Sequence, residues 1–172
     1  SFFKNVYRLL PGHQFVYRDG HAEFSAFNHF SFAPQPMPLK ERAAQIRQVV
    51  AESVKAHEIS DVEVGAFLSG GIDSSVITAL SRPDKTYSVG FANKGFDETS
   101  EAKALCDELG LRNLSKTITP EEFFSALPAI QYYADEPNAN LSTVPLYFLS
   151  QLAARDVKVV LSGEGSDELF GG

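Results

Sequence analysis

The chain has 172 residues, 44% of them hydrophobic and 12% aromatic, which is enough apolar material for one globular domain with its own core. Its formal net charge of -7 argues against a nucleic-acid partner, and no run of about 18 apolar residues exists that could span a membrane. The single cysteine, Cys106, excludes an internal disulfide, and we expect a soluble, cytoplasmic protein.

The first 32 residues differ in character from the rest. They are rich in aromatic residues, and Pro11-Gly12 and Asp19-Gly20 separate short β-prone runs, which predicts a β-meander or a pair of hairpins. Segment 33–38, APQPMP, is too rich in proline for a helix or a central strand, so we predict a linker there. The chain begins without methionine and ends in ELFGG, and we expect a piece of a longer protein.

From Leu39 onwards, helical and strand-like patterns alternate. Apolar residues recur every three or four positions from Leu39 to Val54, which is typical of one helix face. VEVGAFL and VKVVLSG are nearly continuous apolar runs, as expected for strands buried on both faces. The alternation predicts an α/β fold, a three-layer sandwich around a mostly parallel sheet. The predicted strands are 62–68, 86–91, 114–119 and 157–163, and the predicted helices are 39–57, 74–80, one ending at 109, one beginning at 120, and 143–155.

One loop between a predicted strand and helix, SGGIDSS at 69–75, has the composition of a phosphate site. Glycines let backbone N–H groups approach a ligand, and the N-terminus of the next helix attracts negative charge. No lysine follows, so this is not a Walker-type loop, and Asp73 would repel a phosphate unless Mg²⁺ lay between them. The alternative is a tight turn in which Asp73 or a serine caps the helix. The candidate phosphate-binding residues are Ser69, Gly70, Gly71, Asp73, Ser74 and Ser75.

A second loop, SGEGSDE at 162–168, follows another apolar strand and begins with the same Ser-Gly pair. In an open α/β sheet, ligands bind at the carboxyl ends of the strands, so two such loops can contribute to one site. Asp167 would supply a second Mg²⁺ ligand, and Glu164 would place a carboxylate at the mouth of the sheet. The alternative is a solvated acidic turn.

Together these motifs resemble those of a known family. SGGIDSS is similar to the SGGxDS pyrophosphate loop of the N-type ATP pyrophosphatases, the PP-loop superfamily. With YSVGF, FDETSEAKALCDELG, DEPNANLSTVPLYFLSQLA and LSGEGSDELFGG in colinear order, the chain resembles the synthetase domain of glutamine-hydrolysing asparagine synthetase. The resemblance implies a PP-loop, adenine nucleotide α-hydrolase-like fold for residues 39–172, truncated at its C-terminal end. It also implies that residues 1–32 are the last strands of an amino-terminal glutaminase domain, followed by the linker 33–38.

The resemblance further implies an ATP-dependent ligase. A carboxylate, aspartate by family analogy, would attack the α-phosphorus of ATP to give an acyl-adenylate and pyrophosphate, and glutamine-derived ammonia would then displace AMP. Glu164 matches the glutamate that acts near the adenylate and would take a proton from the ammonia. Asp73 and Asp167 match the ligands of Mg²⁺. The positions that match the adenosine pocket are Leu68, Val89, Ser162 and Gly163.

Departures from the family pattern leave alternatives open. Between Pro137 and Pro145 the chain reads NANLSTV, without the arginine or aspartate that some members carry there, so the acceptor could be that of a β-lactam synthetase or another amidotransferase. A nucleotide-binding module without catalysis is a third alternative. The chain ends before the family's phosphate-directed lysine and lacks the glutaminase cysteine, which Cys106 on an apolar helix face cannot replace. We therefore expect this segment to be inactive alone; its oligomeric state stays open, a homodimer included.

Overall fold

The computed structural model describes residues 1–29, 31–92 and 97–171, which form a small antiparallel hairpin followed by an α/β unit. The strands are β1 (His13–Arg18), β2 (His21–Ala26), β3 (Val64–Phe67), β4 (Lys85–Phe91), β5 (Arg112–Ile118) and β6 (Val159–Leu161). The helices are α1 (Leu39–His57), α2 (Ile72–Ser81), α3 (Thr99–Leu109), α4 (Pro120–Tyr133), α5 (Thr143–Ala153) and α6 (Ser166–Phe170). No helix within these ranges is both long enough and apolar enough to cross a bilayer.

The hairpin of β1 and β2 turns at Asp19 and Gly20, whose φ angles are 52° and 80°. Positive φ at both central residues is what a two-residue type I′ turn requires, and it confirms the turn predicted there. Residues 2–10 form no strand, so this part of the structure holds a single hairpin and not the expected meander or pair. Most hairpin side chains are exposed, and the buried core lies elsewhere.

The larger sheet has the strand order β5-β4-β3-β6, and each neighbouring pair is parallel. Strands β3, β4 and β5 are added in one direction, after which the chain crosses back and β6 pairs with the other edge of β3. The strand order therefore reverses between β3 and β6, and such a reversal opens the crevice at which open α/β sheets bind ligands. The predicted parallel sheet is confirmed.

Helices cover both faces of this sheet. Successive side chains of β4 point to opposite faces, and their contacts show which helix lies on each face. Thr86 faces the buried Cys106 of α3, with 3.2 Å between Oγ1 and Sγ, whereas Tyr87 packs against Ala153 at the end of α5. A further cluster joins β5 to α4 and α5. The three-layer sandwich and the core position of Cys106 are thus confirmed. The members of the β5 cluster are Ile118, Ala126, Ile130, Val144 and Phe148.

Some boundaries and one face differ from the sequence predictions. Helix α2 begins at Ile72, before the predicted residue 74, and β6 is shorter than the predicted 157–163. Helix α1 has the predicted bounds, but of its apolar face only Val54 is buried, while Leu39 is 82% exposed and Ile46 is 40% exposed. Periodicity identifies which residues share a helix face, but it does not say whether another element covers that face.

The start of α4 is fixed by the predicted capping box. Thr119 Oγ1 accepts from the Glu122 N–H at 3.2 Å, and Glu122 Oε2 accepts from the Thr119 N–H at 3.0 Å. The hydrogen bond from Lys116, and then the one from the Thr119 backbone, lower the pKa of Glu122. Because its pKa is lowered, the carboxylate that completes the box stays ionised below the ordinary pKa of Glu. The stability that it contributes is fully present above that ordinary value and is lost as the pH falls through the lowered one.

A Thr119→Ala substitution should lower the free energy of unfolding by about 1 kcal/mol, because it leaves the Glu122 N–H of the first turn without its side-chain partner. Chemical denaturation at neutral pH would measure this change. Ser125→Ala on the same helix is the control, because its hydroxyl only back-bonds to carbonyls of α4, and it should change stability by less than about 0.5 kcal/mol. Equal losses in the two variants would contradict the role of the cap.

Candidate active site

A cleft of about 830 Å³ lies at the carboxyl ends of the strands, beside the point where the strand order reverses. Its volume is in the range of small-molecule sites. The loops after β3, β4 and β6 and the start of α5 line it. The predicted site residues that line the cleft are Leu68, Ser69, Gly71, Asp73, Ser74, Val89, Ser162, Gly163, Glu164 and Asp167. Gly70 and Ser75 belong to the same loop but are not part of the lining.

Hydrogen bonds within the loop after β3 fix its shape. The Ser69 and Ser74 hydroxyls lie 3.0 Å apart, and the Ser69 N–H donates to Ser74 Oγ at 3.2 Å. The Gly71 N–H donates to Ser69 Oγ, and the Ser74 hydroxyl donates to the Gly71 carbonyl, each at 3.2 Å. Because these two serines bond to the loop itself, they organise it, and the backbone N–H groups at the start of α2 are left to meet a ligand.

The start of α2 has the properties of an anion site. Gly71 is the N-cap, and no side chain forms a capping hydrogen bond with the first-turn N–H groups, so the cap by Asp73 or a serine that the alternative requires is not formed. Asp73 lies in the first turn and is exposed. First-turn N–H groups without a side-chain partner, together with the helix dipole, attract negative charge.

Gly163 brings the second loop against the first. A Cβ at this position would lie 2.8 Å from the Ser74 backbone nitrogen and 3.0 Å from Asp73 Cβ. No side chain fits in that space, because the opposing atoms belong to the first turn of a helix. The loop after β6 therefore packs directly on the start of α2, and both predicted loops contribute to one cleft. Glu164 and Asp167, which follow Gly163, are exposed along its wall.

The start of α3 forms a further wall, which the sequence predictions missed. Asp97, Glu98 and Glu101 line the cleft there. A Cβ at Gly70, whose φ is 89°, would lie 2.9 Å from Glu101 Cβ and 3.0 Å from the Glu98 carbonyl oxygen, so α3 packs against the loop. The sequence did contain a signal for this wall: the acidic run DETS, 97–100, follows β4 and so lies at the carboxyl end of a strand, as the two predicted loops do.

The cleft is strongly acidic, which bears on the metal it could hold. A polyphosphate entering such a site needs a divalent cation to offset the repulsion. Within the described residues, no three His, Cys, Asp or Glu side chains converge as a ready-made metal site. The carboxylates of the lining are of the kind that could hold Mg²⁺, which proteins bind through one or two carboxylates together with substrate phosphates. Among the described residues that line the cleft there is no lysine, arginine or histidine. The lining carboxylates are Asp73, Asp97, Glu98, Glu101, Glu164, Asp167 and Glu168.

Another part of the cleft lining is apolar. Leu68 is 1% exposed and packs on Ala102 and Cys106, while Val89 and Phe91 come from the end of β4. Apolar walls beside a few convergent polar groups are typical of sites for small organic molecules. The cleft therefore offers an apolar surface for a ring and an N–H-rich, carboxylate-flanked end for an anion with its cation.

Comparison with known proteins identifies the family. The asparagine synthase family model matches residues 45–172. The chain belongs to the asparagine synthase family. It is 43% identical over 173 aligned residues to the glutamine-hydrolyzing asparagine synthetase 1 of Bacillus subtilis, which covers 98% of this chain and 27% of that protein. It is 31% identical over 147 residues to asparagine synthetase B of Escherichia coli, covering 74% of this chain and 26% of the relative.

The chain spans about a quarter of the length of these two relatives. Among solved structures, the chain is similar to the glutamine-dependent NAD⁺ synthetase of Acinetobacter baumannii in complex with ADP. That similarity has a TM-score of 0.49 and 16% identity, over 85% of this chain and 29% of the other. The NH₃-dependent NAD synthetase of Campylobacter jejuni is also similar, with a TM-score of 0.43 and 23% identity, over 77% of this chain and 59% of that one.

Proposed function

We propose that this chain is the central part of an ATP-dependent, amide-forming ligase that activates a carboxylate, aspartate in the first instance, as an acyl-adenylate. The observation that carries the proposal is the contact of Gly163 with Asp73 and Ser74. Through it, two loops from opposite sides of the strand-order reversal form one cleft in a member of the asparagine synthase family. Such a cleft can hold the two ends of ATP while leaving the α-phosphorus open to attack.

The loop after β3 would hold the β- and γ-phosphates. The helix start supplies backbone N–H donors, Ser69 and Ser74 hold them in place, and Gly70, Gly71 and Ser75 complete the loop. Donors fixed before the reaction stabilise the leaving pyrophosphate without reorganising as charge develops. Asp73 and Asp167 would hold Mg²⁺, which when bound supplies the positive charge that this acidic cleft lacks.

The adenosine would lie against the apolar wall. Val89 would contact the adenine ring, with the buried Leu68 backing the pocket from behind, and Ser162 and Gly163 would contact the nucleoside from the β6 side, in part through backbone groups. Leu68 is fixed on its other side by Ala102 and Cys106, so the wall is rigid.

Glu164 would act on the second half-reaction. Its side chain is exposed on the cleft wall, and its N–H donates to Ser162 Oγ at 3.3 Å, which ties the loop backbone in place. We assign it the role of general base that takes a proton from ammonia as the ammonia attacks the acyl-adenylate and AMP leaves.

The rest of the proposal concerns the longer protein. Residues 1–32 would end an amino-terminal glutaminase domain that supplies ammonia, residues 33–38 would be the linker, and residues 39–172 would be a synthetase domain that is inactive without its downstream part. We place the protein in the cytoplasm, where a single buried thiol stays reduced. A homodimer is compatible with this organisation.

The native gene product that carries this chain should release AMP and pyrophosphate when given ATP, Mg²⁺, aspartate and glutamine. Pyrophosphate can be followed by a coupled assay and AMP by chromatography. Ammonium chloride should replace glutamine, and omission of the carboxylate should abolish the release. Formation of ADP and phosphate would contradict the proposed chemistry.

A different acceptor is the second candidate, and one observation favours testing it. The described lining of the cleft offers no lysine or arginine to pair with the second carboxylate of aspartate. Other carboxylates should therefore be supplied in turn in the same pyrophosphate assay. A larger or less acidic carboxylate that outperforms aspartate would assign the chain to an amidotransferase or β-lactam-synthetase type of ligase.

A further inference from the structure

A chain of buried and half-buried polar side chains runs from β5 across β4 and ends at the start of the phosphate loop. Asn113 on β5 donates through Nδ2 to both Thr86 Oγ1 and Ser88 Oγ on β4, each at 2.9 Å. The Ser88 hydroxyl in turn donates to the Leu68 carbonyl oxygen at 2.7 Å. Thr86 is 0% exposed and Ser88 is 1% exposed, and these polar residues are not part of the cleft lining.

These hydrogen bonds matter because the last of them holds the Leu68 carbonyl, at the point where the phosphate loop begins. Strand β3 ends at Phe67, and the Leu68 N–H still donates to the Tyr87 carbonyl at 2.9 Å as the last bond of the ladder. The Leu68 carbonyl then bonds to a side chain, the Ser88 hydroxyl, and the chain turns away into Ser69 and the glycines. The backbone of Leu68 is thus held on both sides at the point where the loop departs.

The direction of each hydrogen bond follows from the number of protons. Ser88 has one hydroxyl hydrogen, and a carbonyl can only accept, so that hydrogen goes to Leu68. Ser88 Oγ must then accept from Asn113, which fixes the orientation of the Asn113 amide. A buried donor or acceptor that loses its partner keeps its desolvation penalty, so changing one member disturbs the others.

We propose that Ser88 and Asn113 are positioning residues that set the exit angle of the phosphate loop by holding the Leu68 carbonyl. This inference rests on the proposed function for its consequence, ATP binding, but its structural part stands on the hydrogen bonds alone. The same carbonyl belongs to a residue that we place behind the adenine pocket. Ser88 therefore couples the ring end and the phosphate end of the nucleotide site without touching the nucleotide.

The test compares Ser88→Ala with Thr86→Val in the native gene product. Both changes remove a buried hydroxyl that accepts from Asn113, but only Ser88→Ala frees the Leu68 carbonyl. Ser88→Ala should speed hydrogen–deuterium exchange in the peptide 68–75 about tenfold and raise the KM for ATP about tenfold, with a smaller effect on kcat. Thr86→Val should leave exchange in that peptide and KM within about twofold of wild type, even where it lowers the melting temperature as much.

Asn113→Asp provides a second test that deletes no atoms from β4. A carboxylate accepts and cannot donate, so it would compete with Leu68 for the single Ser88 hydrogen and should also speed exchange in residues 68–75. Unchanged exchange in both Ser88→Ala and Asn113→Asp would overturn the inference, as would equal acceleration in Thr86→Val. A wild-type protein that binds no ATP would contradict the proposed function, and the exchange experiment would still decide the positioning role.

Discussion

Replacing Asp73 or Asp167 by asparagine should reduce Mg²⁺-dependent pyrophosphate release by the native gene product roughly a thousandfold. Asparagine keeps the size of the side chain and one oxygen but removes the negative charge. In a cleft whose described lining carries no cationic side chain, Mg²⁺ is the expected source of positive charge against the leaving pyrophosphate. A loss of several kcal/mol of transition-state stabilisation corresponds to this factor.

Glu101→Gln is the matched control for these two variants. Glu101 lines the same cleft, and its Cβ packs near Gly70, a contact that glutamine retains. If the cleft needs only its overall negative field, all of these variants should lose activity to a similar degree. If Asp73 and Asp167 hold the metal, Glu101→Gln should stay within about threefold of wild type, and added Mn²⁺ or excess Mg²⁺ should partly rescue the aspartate variants. Full activity of both Asp→Asn variants would show that the metal assignment is wrong.

Much of the fold followed from local patterns in the sequence. Strands β3 and β6 were predictable because a parallel strand covered on both faces needs a nearly continuous apolar run. The start of α4 was predictable because the capping box of Thr119 and Glu122 uses only neighbouring residues. Helix α1 shows where this reasoning stops. Its bounds were predicted correctly, yet Leu39 and Ile46 are exposed, because burial depends on what packs against the helix.

The candidate site was likewise predictable only in part. The chemistry of the two loops was visible in the sequence, but their contact through Gly163 depends on β6 lying beside β3, and no local pattern encodes strand order. The carboxylates at the start of α3 were missed because they looked like an ordinary acidic helix start. Ser88 was missed for a related reason: a serine inside an apolar strand gives no sign that its hydroxyl reaches a carbonyl on the neighbouring strand.

A Gly163→Ala substitution should lower pyrophosphate release about a hundredfold while the protein remains folded. The new methyl group would lie within about 3 Å of the Ser74 nitrogen and of Asp73 Cβ, so the loop after β6 must move away from α2. Because Asp73 and Asp167 lie on the two separated loops, their distance would change. A displacement of about 1 Å in a reacting geometry can reduce a rate by this factor. Steady-state pyrophosphate release and thermal unfolding, measured side by side, would separate misplacement from loss of structure.

Gly165→Ala in the same loop is the informative comparison. Its φ of 92° makes alanine strained, but an added Cβ there meets nothing within 4 Å. Gly165→Ala therefore tests loop destabilisation without a clash, and Gly163→Ala tests the clash without an unfavourable φ. If the contact between the loops matters, Gly163→Ala should lose far more activity than Gly165→Ala at an equal or smaller loss of stability. The reverse order would mean that the conformation of the SGEGSDE loop controls the reaction and that its contact with α2 is incidental.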